Sequence, residues 1–272
     1  MANNNPPRNA RSASKTGSGR STTNSRANPS GARTGFYALL IAIAVIGAGV
    51  IFYLMTNPAT GQANGQGSSQ YDSLKANYAK AGPPQPYVLG NATAPVVIEE
   101  FADYECPVCG SYAAVTEPDV RKNIIQPGLA SYKYYDFPLP QHKNSQAASN
   151  AAACADEQGK FWPMHDQLFA GQDAWGLQSD GGTQVTDNPK PIFLGYAKAV
   201  GLNTDQWEKC FDGRKYQARI NANTAEVFRR NLNETPTFFV NGKMMQPGSV
   251  SYDALKKAVD AAAAAPKPAS AQ

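Results

Sequence analysis

The chain has 272 residues, of which 42% are hydrophobic and 17% charged, enough for one good-sized core in one or two domains. Its net charge of +4 is unevenly distributed, because residues 1–35 hold six basic side chains and no acidic one. Without those six, residues 36–272 carry a formal charge of about −2. The body of the chain therefore lacks the basic surplus that nucleic-acid binding requires, and the sequence contains no nucleic-acid-binding motif.

Residues 36–54 form an apolar run of nineteen residues without a charge or a proline. As a helix, this run would rise about 28 Å at about 1.5 Å per residue, close to the hydrocarbon thickness of a bilayer. All the flanking basic residues precede it, so the positive-inside rule predicts a single-pass transmembrane helix with a cytoplasmic N-terminus and an extracytoplasmic body. The alternatives are a cleavable signal peptide, which normally has a shorter apolar region, and a buried core helix, which leaves the one-sided charge unexplained.

The segments around this helix lack a core-forming pattern. Residues 1–35 are rich in Asn, Ser, Arg, Gly and Pro, which predicts a disordered, basic cytoplasmic segment. The polar composition of 55–85 predicts a flexible linker. We expect the folded domain over 86–262, followed by a disordered low-complexity tail at 263–272.

The domain begins with a short apolar run at 95–101 between turn residues, which is typical of a buried central strand. Cys106 and Cys109 follow where a helix is predicted to begin, and Pro118 can open a second helical segment. Aromatic residues alternate along 131–137, which indicates a second strand.

Helix-forming sequence fills about 144–231, interrupted by a loop rich in Gly, Asp and Thr at 178–188. An Asn-Gly dipeptide then gives the strongest hairpin signal of the chain and predicts pairing of Thr237–Val240 with Lys243–Gln246. A last helix is predicted over 251–263. The alternation of strands and helices indicates an α/β domain.

Cys106 and Cys109 form a Cys-x-x-Cys motif in a segment predicted to be exported, and an oxidising compartment favours disulfide chemistry. The alternatives are coincidence or half of a zinc site, but zinc needs four ligands and the other Cys and His residues form no second close pair. At a helix start, backbone N–H groups and the helix dipole stabilise a thiolate. We therefore expect no metal and no other cofactor, an exposed Cys106 with a lowered pKa, and a covered Cys109 that acts as the resolving thiol.

The stretch EEFADYECPVCG, together with Thr235-Pro236 ahead of a Phe-Phe-Val-Asn-Gly hairpin, resembles the DsbA family of thioredoxin-fold oxidoreductases, most of all its membrane-tethered bacterial members. The segments FPLPQH and EQGKFWPMHDQLF are similar to that family as well. The resemblance covers about 86–262 and implies a thioredoxin-like fold with an inserted all-helical subdomain, preceded here by the transmembrane helix.

The resemblance also implies roles for individual residues. Pro236 would be cis and face the cysteines, so that a substrate strand could pair with Thr235 beside Cys106; the alternative is an ordinary trans proline. Glu100 matches the family's buried acid and could relay the proton of Cys109. A solvent-facing Glu100 stays open as the alternative, because adjacent residues of a strand point to opposite faces.

Cys154 and Cys210 are similar in position to a pair that forms a second disulfide in the helical subdomain of some family members. We expect the same staple here, worth a few kcal/mol. Two buried free thiols or a regulatory pair are the alternatives. His142 and His165 are expected to be structural or surface residues, because DsbA-like chemistry needs no histidine outside the Cys-x-x-Cys motif.

The direction of thiol–disulfide exchange depends on the potential difference with the partner. Pro107 and Val108 would tune that potential and contact substrate, and they lack the His of the most oxidising DsbA proteins. The resemblance implies a monomeric disulfide donor to reduced exported proteins, reoxidised by a quinone-linked membrane partner of the DsbB or VKOR type. The alternatives are a reductase or isomerase of envelope disulfides, a non-catalytic envelope binding module, and a detoxifying transferase of the same fold.

Overall fold

The computed structural model describes residues 46, 47, 49, 73, 75, 76, 78–177 and 184–265. The chain divides into two compact units, Met1–Asn64 and Gly65–Gln272. Within the described residues, no helix is both long enough and apolar enough to cross a bilayer. Most of the predicted transmembrane helix at 36–54 and all of the predicted cytoplasmic segment at 1–35 lie outside the described residues, as do parts of the predicted linker, loop and tail.

A five-stranded sheet with strand order β1-β3-β2-β4-β5 forms the centre of the second unit. Its strands are β1 Tyr87–Leu89, β2 Val96–Ala102, β3 Ala130–Asp136, β4 Thr237–Val240 and β5 Lys243–Met244. β2 and β3 run parallel, whereas the other neighbouring pairs are antiparallel. The predicted strands at 95–101 and 131–137 correspond to β2 and β3, and the α/β class is confirmed.

Helices surround this sheet and separate its strands in sequence. They are α1 Pro107–Val115, α2 Glu117–Val120, α3 Ser145–Asp156, α4 Phe161–Ala170, α5 Lys190–Ala199, α6 Thr204–Asp212, α7 Gln217–Arg229 and α8 Tyr252–Ala264. A π-helical turn at Arg121–Ile125 follows α2, and a 3₁₀ turn at Gln172–Ala174 follows α4. Helices α3 to α7 lie between β3 and β4 in the chain, the interval for which a helical insertion is expected.

The central strand β2 is covered on both faces. Ile98 shares an apolar cluster with residues of α1 and α8, whereas Phe101 clusters with Val227 of α7. Neighbouring residues of a strand point to opposite faces, so Glu99 and Glu100 enter different environments and both are buried. The alternative of a solvent-facing Glu100 is therefore wrong, because helices pack on both sides of the strand.

The helical insertion shares an apolar cluster with the sheet, to which the alanine-rich α3 contributes a run of buried side chains and Tyr87 and Tyr134 contribute from β1 and β3. Cys154 of α3 and Cys210 of α6 form a disulfide, with their Cα atoms 5.8 Å apart. The indole Nε1 of Trp207 in α6 donates to the Ala151 carbonyl of α3 at 3.1 Å. The two helices are thus held together by a covalent bond, a hydrogen bond and apolar packing.

The Asn241–Gly242 turn joins β4 to β5, and both residues have positive φ angles of 47° and 76°. These are the angles that a two-residue hairpin requires and that Asn and Gly tolerate. β5 is only two residues long, however, so the predicted strand Lys243–Gln246 is too long by two. α8 begins at Tyr252 instead of Ser251, because the Ser251 hydroxyl caps the helix by accepting from the Ala254 N–H.

Strand β1 is not predicted by the sequence. Its three residues lie between Pro86 and Gly90, too few to show a period of two, and they are held by antiparallel pairing with β3. The end of the predicted linker also contacts the domain. Tyr78 stacks on Phe228 with ring centroids 5.5 Å apart, and Gln85 accepts a hydrogen bond from Arg219 at 2.9 Å.

Candidate active site

The chain places the two redox cysteines where β2 turns into α1. The Cys106 N–H donates to the Asp103 carbonyl at 3.1 Å, closing the turn between strand and helix. Cys106 has extended backbone angles and precedes the helix, and Pro107 occupies the first helical position, where a missing N–H does no harm. Cys109 lies within the first turn, and both cysteines are free thiols.

Cys106 is only 6% exposed, so the expectation of an exposed nucleophile is wrong. Its sulfur lies 3.6 Å from the Thr235 carbonyl oxygen, in the segment that precedes β4. A hydrogen bond from the Cys109 side chain lowers the pKa of Cys106 to about 6, and Thr235 and the Cys109 backbone N–H contribute in the same direction against burial. Cys106 is therefore largely a thiolate at neutral pH.

The pKa of Cys109 is shifted in the opposite direction. Complete burial raises its pKa well above the ordinary value for a thiol, and the neighbouring Cys106 and Glu100 raise it further. One cysteine of the pair thus ionises readily, while the other holds its proton.

Thr235 and Pro236 lie beside this pair, although they are more than a hundred residues away in the sequence. The pairing of β4 with β2 brings them there, with Thr237 opposite Phe101. The Thr235–Pro236 peptide bond is cis. Thr235 is 8% exposed, and its carbonyl oxygen is the one that approaches the Cys106 sulfur.

Glu100 is 1% exposed and accepts a hydrogen bond from the Tyr132 hydroxyl at 2.6 Å. The Tyr112 hydroxyl lies 3.3 Å from that of Tyr132 and extends the buried polar group. Burial raises the pKa of Glu100 well above its usual range, and the charge of Glu117 raises it further against the hydrogen bond from Tyr132. The site thus contains a buried carboxyl group whose protonated form is favoured.

Glu117 and His165 form a buried pair that sequence reasoning missed. Glu117 is bound by the Arg121 guanidinium, with 2.6 Å between Nη2 and Oε1, and lies 3.3 Å from His165 Nε2. Burial acts to raise the pKa of Glu117, but His165 and Arg121 outweigh it and lower the pKa. His165 Nδ1 also lies 3.2 Å from the Tyr104 hydroxyl, so this histidine is a buried structural residue.

Asp103 connects the cysteine turn to the loop after β3. Its carboxylate accepts from the Ser145 hydroxyl, the backbone N–H groups of Glu105 and Leu139, and the ring of His142, all within 2.8 Å. Burial acts to lower the pKa of His142, but the Asp103 carboxylate raises it overall. The FPLPQH segment places His142 next to Asp103, but no spacing rule in the sequence indicates this contact.

Pro107 and Val108 complete the motif on its outer side. Val108 is 42% exposed, which leaves its side chain open to a partner protein. Within the described residues, no group of three or more His, Cys, Asp or Glu side chains is arranged to hold a metal ion.

Comparison with known proteins identifies relatives of this domain. The family model described as Thioredoxin matches residues 83–261. The chain is 34% identical over 178 residues to "Na(+)/H(+) antiporter NhaA 3" of Salinispora tropica, an alignment that covers 65% of this chain. It spans only 24% of that relative, so the chain corresponds to about a quarter of the antiporter's length.

Two further proteins carry names from disulfide chemistry. The chain is 23% identical over 175 residues to "Probable disulfide bond formation protein D" of Bacillus anthracis, covering 63% of this chain and 76% of that one. It also superposes on the crystal structure of α-DsbA1 from Wolbachia pipientis with a TM-score of 0.56 and 18% identity, covering 69% and 95% of the two chains. At this identity the structural match shows the fold, which is thioredoxin-like.

Proposed function

Because the chain belongs to the thioredoxin family and, within it, to the DsbA-like thiol:disulfide oxidoreductases, we propose that it donates disulfides to exported proteins through Cys106 and Cys109. The observation that carries this proposal is the contrast within the pair. The pKa of Cys106 is lowered to about 6, while that of Cys109 is raised well above its usual value. A low pKa of Cys106 favours donation, because it stabilises the reduced form as a thiolate and makes the Cys106 sulfur a good leaving group.

The exchange begins from the oxidised pair, in which a disulfide joins Cys106 to Cys109. A substrate thiolate attacks the Cys106 sulfur, forms a mixed disulfide and releases Cys109, which takes up a proton because its pKa is high. A second substrate thiolate then attacks the substrate sulfur of the mixed disulfide and expels Cys106 as a thiolate. Two electrons pass from the two substrate thiols to the cysteine pair, and the substrate leaves with a disulfide.

Glu100 supports the first of these steps. Its carboxyl group is buried and its pKa is raised, and its ionised form would raise the pKa of Cys109 further. We assign to Glu100 the donation of a proton to Cys109 as that sulfur leaves, and the removal of the same proton when the pair is reoxidised.

Thr235, Pro236, Pro107 and Val108 form the surface on which substrate would bind. The Thr235 carbonyl lies 3.6 Å from the attacked sulfur, so a substrate backbone N–H that pairs with this segment would bring its own cysteine close to Cys106. The exposed side chain of Val108 would contact the same substrate.

The cellular setting is part of the same proposal. The one-sided charge around 36–54 supports a membrane anchor with the catalytic domain outside the cytoplasm. The Cys154–Cys210 disulfide suits an oxidising compartment. A donor there needs an oxidant, for which a quinone-linked membrane protein of the DsbB or VKOR type is the partner we propose, acting on a monomer.

The test is the equilibrium of the full-length protein with reduced and oxidised glutathione, with a Cys106→Ser variant as control. A donor gives a potential well above that of the glutathione couple, and the variant loses all exchange with a reduced substrate. A potential near that of thioredoxin would replace the donor with a reductase. Full exchange activity in the Cys106→Ser variant would overturn the assignment of the nucleophile.

A further inference from the structure

One side chain of the helical insertion, that of Gln172, forms hydrogen bonds with the backbone of the turn that leads into Cys106. Gln172 lies in the 3₁₀ turn after α4 and is 8% exposed. Its Nε2 donates to the Tyr104 carbonyl at 2.6 Å and to the Cys106 carbonyl at 3.0 Å. A primary amide has two N–H groups, so it can make both hydrogen bonds at once.

Gly110, directly after the second cysteine, leaves the space that this amide occupies. A Cβ atom on Gly110 would lie 2.6 Å from Gln172 Oε1, closer than such atoms approach in proteins, and 3.1 Å from its Cδ. The far end of a glutamine side chain can usually move away from a new methyl group. Here that movement would break the two hydrogen bonds to the Tyr104 and Cys106 carbonyls.

We propose that Gln172 is a positioning residue for the thiol exchange: by holding the carbonyls of Tyr104 and Cys106, it fixes how the first turn of α1 meets the Cys106 sulfur. Gln172 acts through the backbone and does not touch the reacting sulfur. This inference rests on the proposed role of Cys106 as the nucleophile.

The backbone geometry explains why such a residue is needed. The Cys106 carbonyl accepts from the Gly110 N–H at 3.0 Å as well as from Gln172, so this one oxygen joins the helix start to the insertion. The orientation of the Cys106 peptide group decides where the N–H groups of the first turn point, and these groups stabilise the thiolate. Without Gln172, the Cys106 carbonyl would keep only its hydrogen bond from the Gly110 N–H. The peptide group could then rotate and turn the N–H groups of the first turn away from the sulfur.

Removing the amide should therefore weaken the thiolate. We expect Gln172→Met, which keeps the length of the side chain without its donors, to raise the pKa of Cys106 by about half a unit, within the range for a helix N-terminus. At pH 7 this change shifts the equilibrium with glutathione about threefold toward the oxidised protein. A thiolate titration followed by ultraviolet absorbance and a glutathione equilibrium, both on the full-length protein, measure the two effects.

Gly110→Ala provides a second variant whose Gln172 side chain is intact but displaced, and it should reproduce the shift of Gln172→Met. The matched control is Gly195→Ala in α5, where an added Cβ meets nothing within 4 Å, and it should leave both quantities unchanged. In the double variant Gly110→Ala/Gln172→Ala, the methyl group enters vacated space. Its thiolate should therefore match that of Gln172→Ala alone, without a further shift.

The outcomes separate this proposal from its rivals. If the Gln172 variants lower the free energy of unfolding but keep the wild-type thiolate pKa and glutathione equilibrium, Gln172 only packs the insertion against the domain and the inference is wrong. The same holds if Gly110→Ala behaves like Gly195→Ala. The difference between variant and wild type tests Gln172, whereas the wild-type potential and the Cys106→Ser variant test the proposed function, so one can fail without the other.

Discussion

Removing the Cys106 thiol should change how the stability of the reduced protein depends on pH. The pKa of Cys106 is about 6 in the folded protein, against about 8.5 for a free cysteine in the unfolded chain. A lowered pKa adds stability that is fully present above the unfolded value and is lost as the pH falls through the folded value. The contribution amounts to about 1 kcal/mol at pH 7 and is close to zero at pH 5.

Urea unfolding of the reduced wild type and of a Cys106→Ala variant, at pH 5 and at pH 7, measures this contribution. The packing that the substitution removes is the same at both pH values, so it cancels in the comparison. We expect the stability gap between the two proteins to grow by about 1 kcal/mol in favour of the wild type from pH 5 to pH 7. Ultraviolet absorbance of the thiolate gives the midpoint independently.

A Cys109→Ala variant tests which contact lowers the pKa of Cys106. The hydrogen bond from the Cys109 side chain is the largest influence on the Cys106 pKa, so the thiolate midpoint should move upward in this variant. The reasoning is refuted if the gap between wild type and Cys106→Ala is the same at both pH values, or if the wild-type midpoint lies near 8.5, the value for a free cysteine.

Three further substitutions test other parts of the site. Glu100→Gln should be more stable than the wild type at pH 7, since a carboxyl with a raised pKa loses stability as the pH rises above its unfolded value; stopped-flow exchange should slow by about a hundredfold. Replacing Cys154 and Cys210 together by Ala should lower the free energy of unfolding by about 4 kcal/mol for their separation of 56 residues, as read from urea curves beside the wild type with its Cys154–Cys210 disulfide intact. Val108→His, at an exposed position, should lower the thiolate pKa further, shift the glutathione equilibrium toward the reduced protein and raise the thermal midpoint of the reduced form at pH 7.

Local signals in the sequence were sufficient for the main elements and for the redox pair. The Asn-Gly dipeptide has only a few compatible backbone conformations, so the turn between β4 and β5 could be predicted. The Cys-x-x-Cys motif could be placed at a strand-to-helix junction because the apolar run at 95–101, which predicts a strand, comes shortly before it. β1 escaped because its three residues become a strand only by pairing with β3.

The contacts that connect the site to the helical insertion could not be predicted in this way. Gln172 binds backbone carbonyls, and every residue offers a carbonyl, so no pattern of side chains marks its partners. Asp103 likewise binds two backbone N–H groups as well as His142 and Ser145, from a loop that only the fold brings near. Polar side chains with backbone partners leave no periodic signal in a sequence.

Glu99 and Glu100 are adjacent and chemically identical, but only Glu100 is the candidate proton donor, because the two side chains lie on opposite faces of β2. The Arg230 guanidinium holds Glu99 with two hydrogen bonds of 3.0 Å on the α7 side of the sheet. On the other side, the Tyr132 hydroxyl binds Glu100, and burial together with the charge of Glu117 raises the pKa of Glu100. Glu99 therefore has a direct cationic partner, whereas Glu100 is buried without one, and burial favours the protonated form of Glu100, which can transfer a proton. The two faces of β2 therefore assign different chemistry to adjacent, identical side chains, and only the face toward α1 adjoins the cysteines.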